Sequence, residues 1–240
     1  MLSSARTVVR TIGLLAALVC PGLARANPDV IEDHNTWAQF VITGPLLAHR
    51  PGAQQWRYGF DSQLSYANDS SQYAQGVWRG GLGYALNAAW TVGAGYGYTR
   101  TNPPYTRASY TEHRGFQQLA WAGRAGDYTL NYRFRFEERF PNPGDEMGLR
   151  MRHQFRVSHP IRAIKPLSWV LGDEIFWNLN ATDYGARPGF DQNRAFAGFG
   201  WQWSETTRSE AGYLHQFARR PGQADRVNHI LALSLALSFK

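Results

Sequence analysis

Arginines at alternating positions are the residues of this sequence with the clearest capacity for chemistry. Two neighbouring runs, 128–140 and 148–158, carry six of them: Arg133, Arg135, Arg139, Arg150, Arg152 and Arg156. A guanidinium group stays charged and binds a carboxylate or phosphate through two parallel hydrogen bonds. A surface built from these side chains is therefore predicted to attract anions.

The residues between these arginines indicate the element that must position them. In the run 128–140 the even positions are apolar or aromatic up to Phe136, whereas the odd positions are polar or charged. Successive side chains of a β-strand point to opposite faces, so this run is predicted to be a strand with one apolar and one charged face. A large aromatic face opposite a charged one is typical of a membrane β-barrel with a wet interior.

Similar alternating runs recur at intervals of about 20 residues, each bounded by turn residues. They predict ten strands: 54–66, 72–86, 89–99, 112–123, 127–140, 148–158, 167–178, 191–203, 206–217 and 227–239. The segment Asn35–Gly44 also alternates, and counting it gives an odd total, which is disfavoured in single-chain bacterial barrels. It is a plug, a periplasmic lead-in or one of two further strands. We therefore predict an all-β, antiparallel, up-and-down transmembrane barrel of 10 to 12 strands.

The N-terminus predicts export. Arg6 and Arg10 precede an apolar stretch, Ile12–Cys20, and Ala24-Arg25-Ala26 fits a cleavage site, so residues 1–26 resemble a cleaved signal peptide. Residues 27–53 are then a lead-in or the first strand, and 54–240 the barrel. The remaining chain has no apolar stretch of about 18 residues, which argues against helical membrane spans. The predicted location is the outer membrane of a Gram-negative bacterium.

Within such a barrel, the charged faces of the strands define the interior. The predicted interior contains ten arginines, namely Arg79, Arg114, Arg133, Arg135, Arg139, Arg150, Arg152, Arg156, Arg194 and Arg208. Against them stand Asp61, Glu137, Glu174 and Glu210. Two interpretations stay open: a small anion-preferring pore or acidic-ligand transporter, and a structural or envelope-interaction barrel whose interior is filled by paired charges.

An enzyme is the third and weakest interpretation. Outer-membrane lipases and deacylases need a serine and a histidine on one strand face, and none of the seven histidines has a serine two positions away. We therefore predict no catalytic residues. His215 and His229 alone do not make a metal site, and Gly93, Gly95 and Gly97 lie within a strand instead of opening a helix. No cofactor and no metal are expected.

The sequence also resembles a known family in an ordered succession of segments. These are YRFRFEERF (132–140), RMRHQFRVSHP (150–160), LGDEIFWNLN (171–180), GFDQNRAFAGFGW (189–201) and GYLHQFARRPGQADRVNH (212–229). They are similar to the uncharacterised bacterial family catalogued as domain of unknown function 2490, taken to be outer-membrane barrels. The resemblance covers about Trp37 to Phe239 and implies fold and location. It implies no activity or ligand.

The expected partners follow from the predicted location. Lipids and lipopolysaccharide would surround the barrel, and the barrel-assembly machinery would insert it, although Lys240 follows the aromatic Phe239 that usually ends such chains. Without residues 1–26 the chain has a small basic excess, and export argues against a nucleic acid partner. The sequence does not determine the oligomeric state.

Overall fold

The computed structural model describes residues 30–46, 50 and 53–239. The predicted signal peptide, 1–26, and Lys240 lie outside the described residues. The rest forms eleven strands: β1 (Val30–Pro45), β2 (Trp56–Ala67), β3 (Gln72–Ala85), β4 (Trp90–Thr101), β5 (Tyr110–Ala125), β6 (Tyr128–Asn142), β7 (Gly148–Pro160), β8 (Leu167–Asn178), β9 (Gly189–Gln202), β10 (Thr207–Ala218) and β11 (Asp225–Ser238). No helix of the described ranges is long and apolar enough to cross a membrane.

The eleven strands form a closed barrel in which each strand pairs with its neighbour in sequence. This confirms the predicted fold class, and the ten predicted strands correspond to β2 through β11. The segment Asn35–Gly44 is part of β1, which pairs with β2 through ten residue pairs from Thr36↔Tyr66 to Pro45↔Arg57. It is therefore part of the barrel wall, and the total number of strands is odd.

An odd total determines how the barrel closes. Ten successive antiparallel pairings leave β11 running in the same direction as β1, so the closing seam is parallel. At this seam the backbone N–H of Phe239 donates to the carbonyl oxygen of Thr43 at 2.9 Å. The Thr43 hydroxyl also donates to the Ser238 hydroxyl at 3.2 Å. All other pairs of adjacent strands are antiparallel.

The two ends of the barrel differ in composition. One end, here called the aromatic end, holds Leu46, residues 53–55 and the connections 86–89, 126–127, 161–166 and 203–206. Trp56 pairs with Tyr84 there, Trp90 pairs with Trp121, and Tyr128 contacts Trp169. The opposite end, here called the loop end, holds Val30 and the connections 68–71, 102–109, 143–147, 179–188 and 219–224. Aromatic pairs also lie near the loop end, namely Tyr66 with Tyr73 and Phe190 with Phe217.

The two surfaces of the wall follow the predicted alternation. Along β11, Leu231, Leu233 and Leu235 are at least 40% exposed, whereas Asn228 and Ile230 are buried inside. The interior therefore takes one face of every strand, and the opposite face forms an apolar exterior. This is the inverse of a soluble protein with a polar surface.

Asp173 is a carboxylate that alternation along β8 places on the apolar face. A bulge or register shift at this point would remove it from that face. The register between β8 and β9 does shift, but between Phe176 and Trp177, and Asp173 stays on the exterior between Leu171 and Ile175. The bulge instead accommodates Asp191, which the pairing skips and whose carboxylate reaches Arg150 at 3.2 Å. Bulges characteristically redirect a side chain in this way.

Candidate functional site: an arginine and carboxylate network inside the barrel

The pairing of β6 with β7 brings the two arginine-rich faces together. Arg135 lies opposite Arg152, and Glu137 lies opposite Arg150. Like charges directly opposite each other destabilise a sheet. The arrangement therefore requires carboxylates between the guanidinium groups, and β6 and β8 supply them.

Glu137 and Glu174 join the arginines of this wall into a chain of ion pairs. Arg150 Nη2 donates to Glu137 Oε2 at 2.6 Å, and Arg152 Nη1 donates to Glu137 Oε1 at 2.6 Å. The other side of the Arg152 guanidinium donates to Glu174 Oε1 at 2.7 Å, which also accepts from Arg133 at 3.0 Å. Only 1% of Glu137 and 5% of Glu174 is exposed. These charges are buried and mutually compensated.

Glu112 belongs to the same network, although the sequence analysis missed it. It is fully buried and accepts from Arg114 Nε at 2.5 Å and from Arg139 Nε at 2.7 Å. The alternation contained the signal, because Glu112 lies two residues before Arg114 and so shares its inward face. Asp191 was also missed, since its contact with Arg150 depends on the bulge in β9.

Two smaller clusters complete the pairing. Arg79 Nε donates to both oxygens of Asp61, at 2.8 and 3.0 Å. Nearer the aromatic end, Glu210 accepts from Arg156 and, at 3.1 Å, from Arg208 Nε. All four carboxylates predicted to lie inside therefore bind arginines there.

Arg135 and Arg194 are the two predicted interior arginines that bind no carboxylate among the described residues. Arg135 donates to the side-chain oxygen of Gln118 at 2.8 Å, and its Nη1 has no hydrogen-bond partner. The Nε of Arg194 is buried and also lacks a partner. The ten predicted interior arginines thus face six described carboxylates, Asp61, Glu112, Glu137, Glu174, Asp191 and Glu210, so four positive charges are in excess. Arg135 and Arg194 are the two of these arginines that make no ion pair with a described residue.

Aromatic rings stack against several of the interior guanidinium groups. Arg135 lies 4.2 Å from the centre of the Phe116 ring. Arg152 and Arg194 lie 4.5 and 4.7 Å from the centre of the Phe176 ring, and Arg194 is 4.8 Å from Trp37. A cation over a ring face is attracted by the ring quadrupole. These rings hold the two uncompensated arginines in place without neutralising them.

Two cavities lie inside the barrel. The loop-end cavity has a volume of about 250 Å³ and is lined by amides and arginines, among them Gln192, Gln216, Asn228, Arg150 and Arg226. The aromatic-end cavity has a volume of about 320 Å³ and is lined by residues that include Gln154, Arg156, Arg208 and Glu210. Five residues line both and form what we call the central layer: Trp37, Gln63, Arg79, Arg152 and Arg194.

The connection 102–109 covers the loop-end cavity. Its Tyr105 hydroxyl accepts a hydrogen bond from Trp37 Nε1 at 3.2 Å, and Arg226 Nη2 donates to the carbonyl oxygen of Pro104 at 3.2 Å. Burial raises the pKa of the Tyr105 phenol, which keeps this hydroxyl neutral. The connection thereby joins β4 to β1 and β11, across the mouth of the barrel.

Comparison with known proteins places the chain in a family. The model of the family described as "Protein of unknown function (DUF2490)" matches residues 34–228. The chain belongs to this family. It is 29% identical to an uncharacterised protein of Methylorubrum extorquens over 239 residues, 97% of this chain and 100% of the relative. Among solved structures, a KdgM porin matches with a TM-score of 0.40 and 10% identity, over 73% of this chain and 81% of that one.

Membership in this family brings no ligand or reaction, so the remaining candidate residues are judged from their positions. His153 faces the exterior, and its Nδ1 lies 2.9 Å from the Tyr132 hydroxyl. His215 and His229 lie on neighbouring exterior positions, with ring centres 5.9 Å apart. Across the described part of the chain, no group of three or more His, Cys, Asp or Glu residues is arranged to hold a metal ion.

The glycines of β4 have a packing role. A Cβ at Gly95 would collide with the Phe116 ring and with the carbonyl oxygen of Gly80. Phe116 therefore occupies the space that a side chain at position 95 would need, and its ring stacks against the guanidinium of Arg135.

Proposed function

We propose that this protein is an outer-membrane β-barrel that binds small acidic solutes at its loop end and conducts them through an arginine-lined interior. The apolar exterior supports the membrane location, because closed barrels satisfy all backbone hydrogen bonds and can face lipid. Aromatic residues gathered at one end suit a membrane interface. The loop end then faces the cell exterior.

The observation that carries the solute preference is the guanidinium of Arg194, which pairs with no described carboxylate and lines both cavities, whereas the equally unpaired Arg135 lines neither. The central layer contains Arg79, Arg152 and Arg194, and of these Arg194 alone makes no ion pair with a described residue. An anion entering from the loop-end cavity meets this guanidinium without having to displace a protein carboxylate. Rings of arginine are the usual means by which a pore favours anions.

The size of the cavities limits what can pass. The two cavities meet at the central layer, where Trp37 and Arg152 are 6% and 4% exposed. Solutes comparable to a single sugar acid or a small phosphate ester fit the loop-end cavity of about 250 Å³. We therefore expect a low conductance that depends on displacement of the central layer.

A closed, structural barrel is the second candidate, and a specific observation favours it. Eight of the ten predicted interior arginines bind carboxylates: Arg79, Arg114, Arg133, Arg139, Arg150, Arg152, Arg156 and Arg208. Side chains can fill a barrel of this size completely. In that case the loops at the loop end, and not the interior, carry the function.

Planar-bilayer recording of the purified protein separates the two candidates. Under a KCl gradient, the proposed function gives a small single-channel current whose reversal potential indicates anion preference. The double variant Arg135→Gln/Arg194→Gln should shift this potential towards cation preference, because it removes the uncompensated charges but no ion pair. The control Arg162→Gln alters an exposed arginine that pairs with Asp127 outside the interior, and should leave the potential unchanged.

The contrary results are equally definite. A folded, inserted protein that carries no current excludes conduction and leaves the closed barrel. A current whose ion preference is insensitive to the double variant shows that Arg135 and Arg194 do not select the solute.

A further inference from the structure

An acidic side chain lies in the middle of the apolar exterior. Asp173 is the seventh of the twelve residues of β8, and its outward neighbours along the strand are Leu171, which is 48% exposed, and Ile175. Pairing places it beside Phe155 of β7 and Ala195 of β9. If this wall faces lipid, Asp173 lies near the middle of the hydrocarbon layer.

Such a position is unfavourable in a monomer. Charged side chains on the lipid face of a barrel destabilise it most at the bilayer midplane, although carboxylates do so less than arginine or lysine. Ionisable groups within membranes are therefore rare and usually have a partner or a function. Glu138, another outward carboxylate, lies on β6 only four residues from its loop-end terminus, where water and headgroups reach it.

The local contacts satisfy Asp173 only in part. Its Oδ1 accepts a hydrogen bond from Asn193 Nδ2 at 2.8 Å. Among the described residues, Oδ2 has no hydrogen-bond partner. The carboxylate therefore retains one free acceptor.

His153 on the adjacent strand has a ring nitrogen without a hydrogen-bond partner in the described part of the chain. It is the sixth of the thirteen residues of β7, so like Asp173 it lies in the middle part of its strand, two residues from Phe155, the pairing partner of Asp173. Its Nδ1 contacts the Tyr132 hydroxyl at 2.9 Å, whereas its Nε2 bonds no residue that the structure describes. The two groups are not bonded to each other, since His153 pairs with Ile175 and Asp173 with Phe155.

We propose that this part of the wall, centred on His153 and Asp173, is an interface with a second copy of this chain. Two copies inserted in the same orientation are related by a two-fold axis along the membrane normal, so residues at equal depth meet. The free Nε2 of His153 in one copy then faces the free Oδ2 of Asp173 in the other, twice per dimer. Phe155 and Leu171, 43% and 48% exposed, supply apolar contact around these bonds.

A second copy suits this patch better than lipid or an unrelated protein. Within the described residues, each copy of the patch has one free acceptor, Asp173 Oδ2, and one free donor, His153 Nε2. Two copies can therefore satisfy each other, which is the self-complementarity of a two-fold interface. Lipid chains offer neither group. The proposal rests on the membrane location proposed above, but not on any conduction by the interior.

Native mass spectrometry of the full chain, purified from membranes in mild detergent, tests the proposal. We expect a dimer for the natural sequence and a monomer for Asp173→Leu and for His153→Leu, each of which suits a lipid-facing position. Asp173→Asn should retain part of the dimer, because the amide oxygen still accepts a bond from His153. The control His113→Leu removes another outward histidine, which bonds Tyr96 on a different wall, and should remain dimeric.

Disulfide crosslinking in isolated membranes provides a second readout that does not depend on detergent. The chain contains a single cysteine, Cys20, within the predicted signal peptide, so one introduced cysteine reports one contact. Phe155→Cys should give a band of twice the chain mass on oxidation. Leu82→Cys, 49% exposed on β3, should not.

Three outcomes overturn the proposal. A monomer in both experiments excludes the interface, and a crosslinked band that contains a different protein assigns the patch to that protein. Recovery of the chain in the soluble periplasmic fraction rejects the membrane location as well. In contrast, a membrane-inserted monomer rejects the dimer alone.

Discussion

At the scale of single residues, the described interior arginines fall into two groups, those that form an ion pair with a carboxylate and those that do not. Glu137 binds Arg150 and Arg152 while almost completely buried. Two charges withdrawn from water are tolerated only when their geometry and hydrogen bonds are good. The planar guanidinium group provides this through several donors at fixed angles, which a lysine ammonium does not. The network is thus a structural requirement, and of the two arginines unpaired among the described residues Arg194 is the one that lines the cavities.

Replacing Glu137 tests the structural part of this argument. Glu137→Gln leaves Arg150 and Arg152 buried beside a neutral amide, so the free energy of unfolding should fall by about 3–5 kcal/mol. Urea unfolding in phospholipid vesicles, followed by tryptophan fluorescence, measures it. Asp127→Asn breaks the exposed pair with Arg162 and should leave stability unchanged. Equal stability of the Glu137→Gln protein would mean that water compensates these arginines.

At the scale of elements, β4 and β5 show how strand composition positions a charge. The inward face of β4 consists of glycines from Gly93 to Gly97, and the Phe116 ring of β5 lies in the space above Gly95. Arg135 then stacks on Phe116 at 4.2 Å. The absence of side chains on one strand therefore determines the position of an arginine two strands away.

This arrangement predicts a difference between two inward glycines. Gly95→Ala forces Phe116 or the backbone of β3 to move and should destabilise the barrel by about 1–3 kcal/mol. Gly59→Ala introduces the same methyl group where its nearest neighbour is Thr43 Cγ2 at 3.8 Å, an ordinary contact, and should be tolerated. The same urea titration compares them. Equal effects would show that Phe116 is free to shift.

At the scale of the whole molecule, the barrel is closed both around its circumference and across its loop end. The parallel seam between β1 and β11 completes the circumference. The connection 102–109 spans the mouth, because Tyr105 bonds Trp37 of β1 and Pro104 bonds Arg226 near the start of β11. Trp37, Tyr105 and Arg226 all line the loop-end cavity, so this connection forms part of the cavity wall at the mouth.

Removing the Tyr105 side chain should therefore open the mouth. Tyr105→Ala loses the bond to Trp37 and the ring that covers the cavity, so we expect a larger single-channel current than that of the natural protein, with anion preference retained. Tyr184→Ala is the matched control, since Tyr184 packs against Gly144 in a neighbouring connection and against Gly148 at the start of β7 and does not line the cavity. An unchanged current in Tyr105→Ala, or an equal increase in both variants, would contradict this role.

The sequence by itself determined the strands, their faces and the aromatic end of this barrel. These properties follow from a period of two along the chain, which is local, and so Arg133, Arg152 and Glu174 could be assigned to the interior residue by residue. Membership in the unknown-function family was likewise visible in the motifs.

Only the tertiary structure decided which residues meet. The parallel closure, the pairing of Glu112 with Arg139 and the contact of Asp191 with Arg150 depend on strand register and on a bulge, which no local period encodes. The partner of Asp173 on the apolar exterior, Asn193, likewise depends on the register between β8 and β9. Alternation assigns a side chain to one face of the wall, whereas the register between adjacent strands determines which residues it contacts.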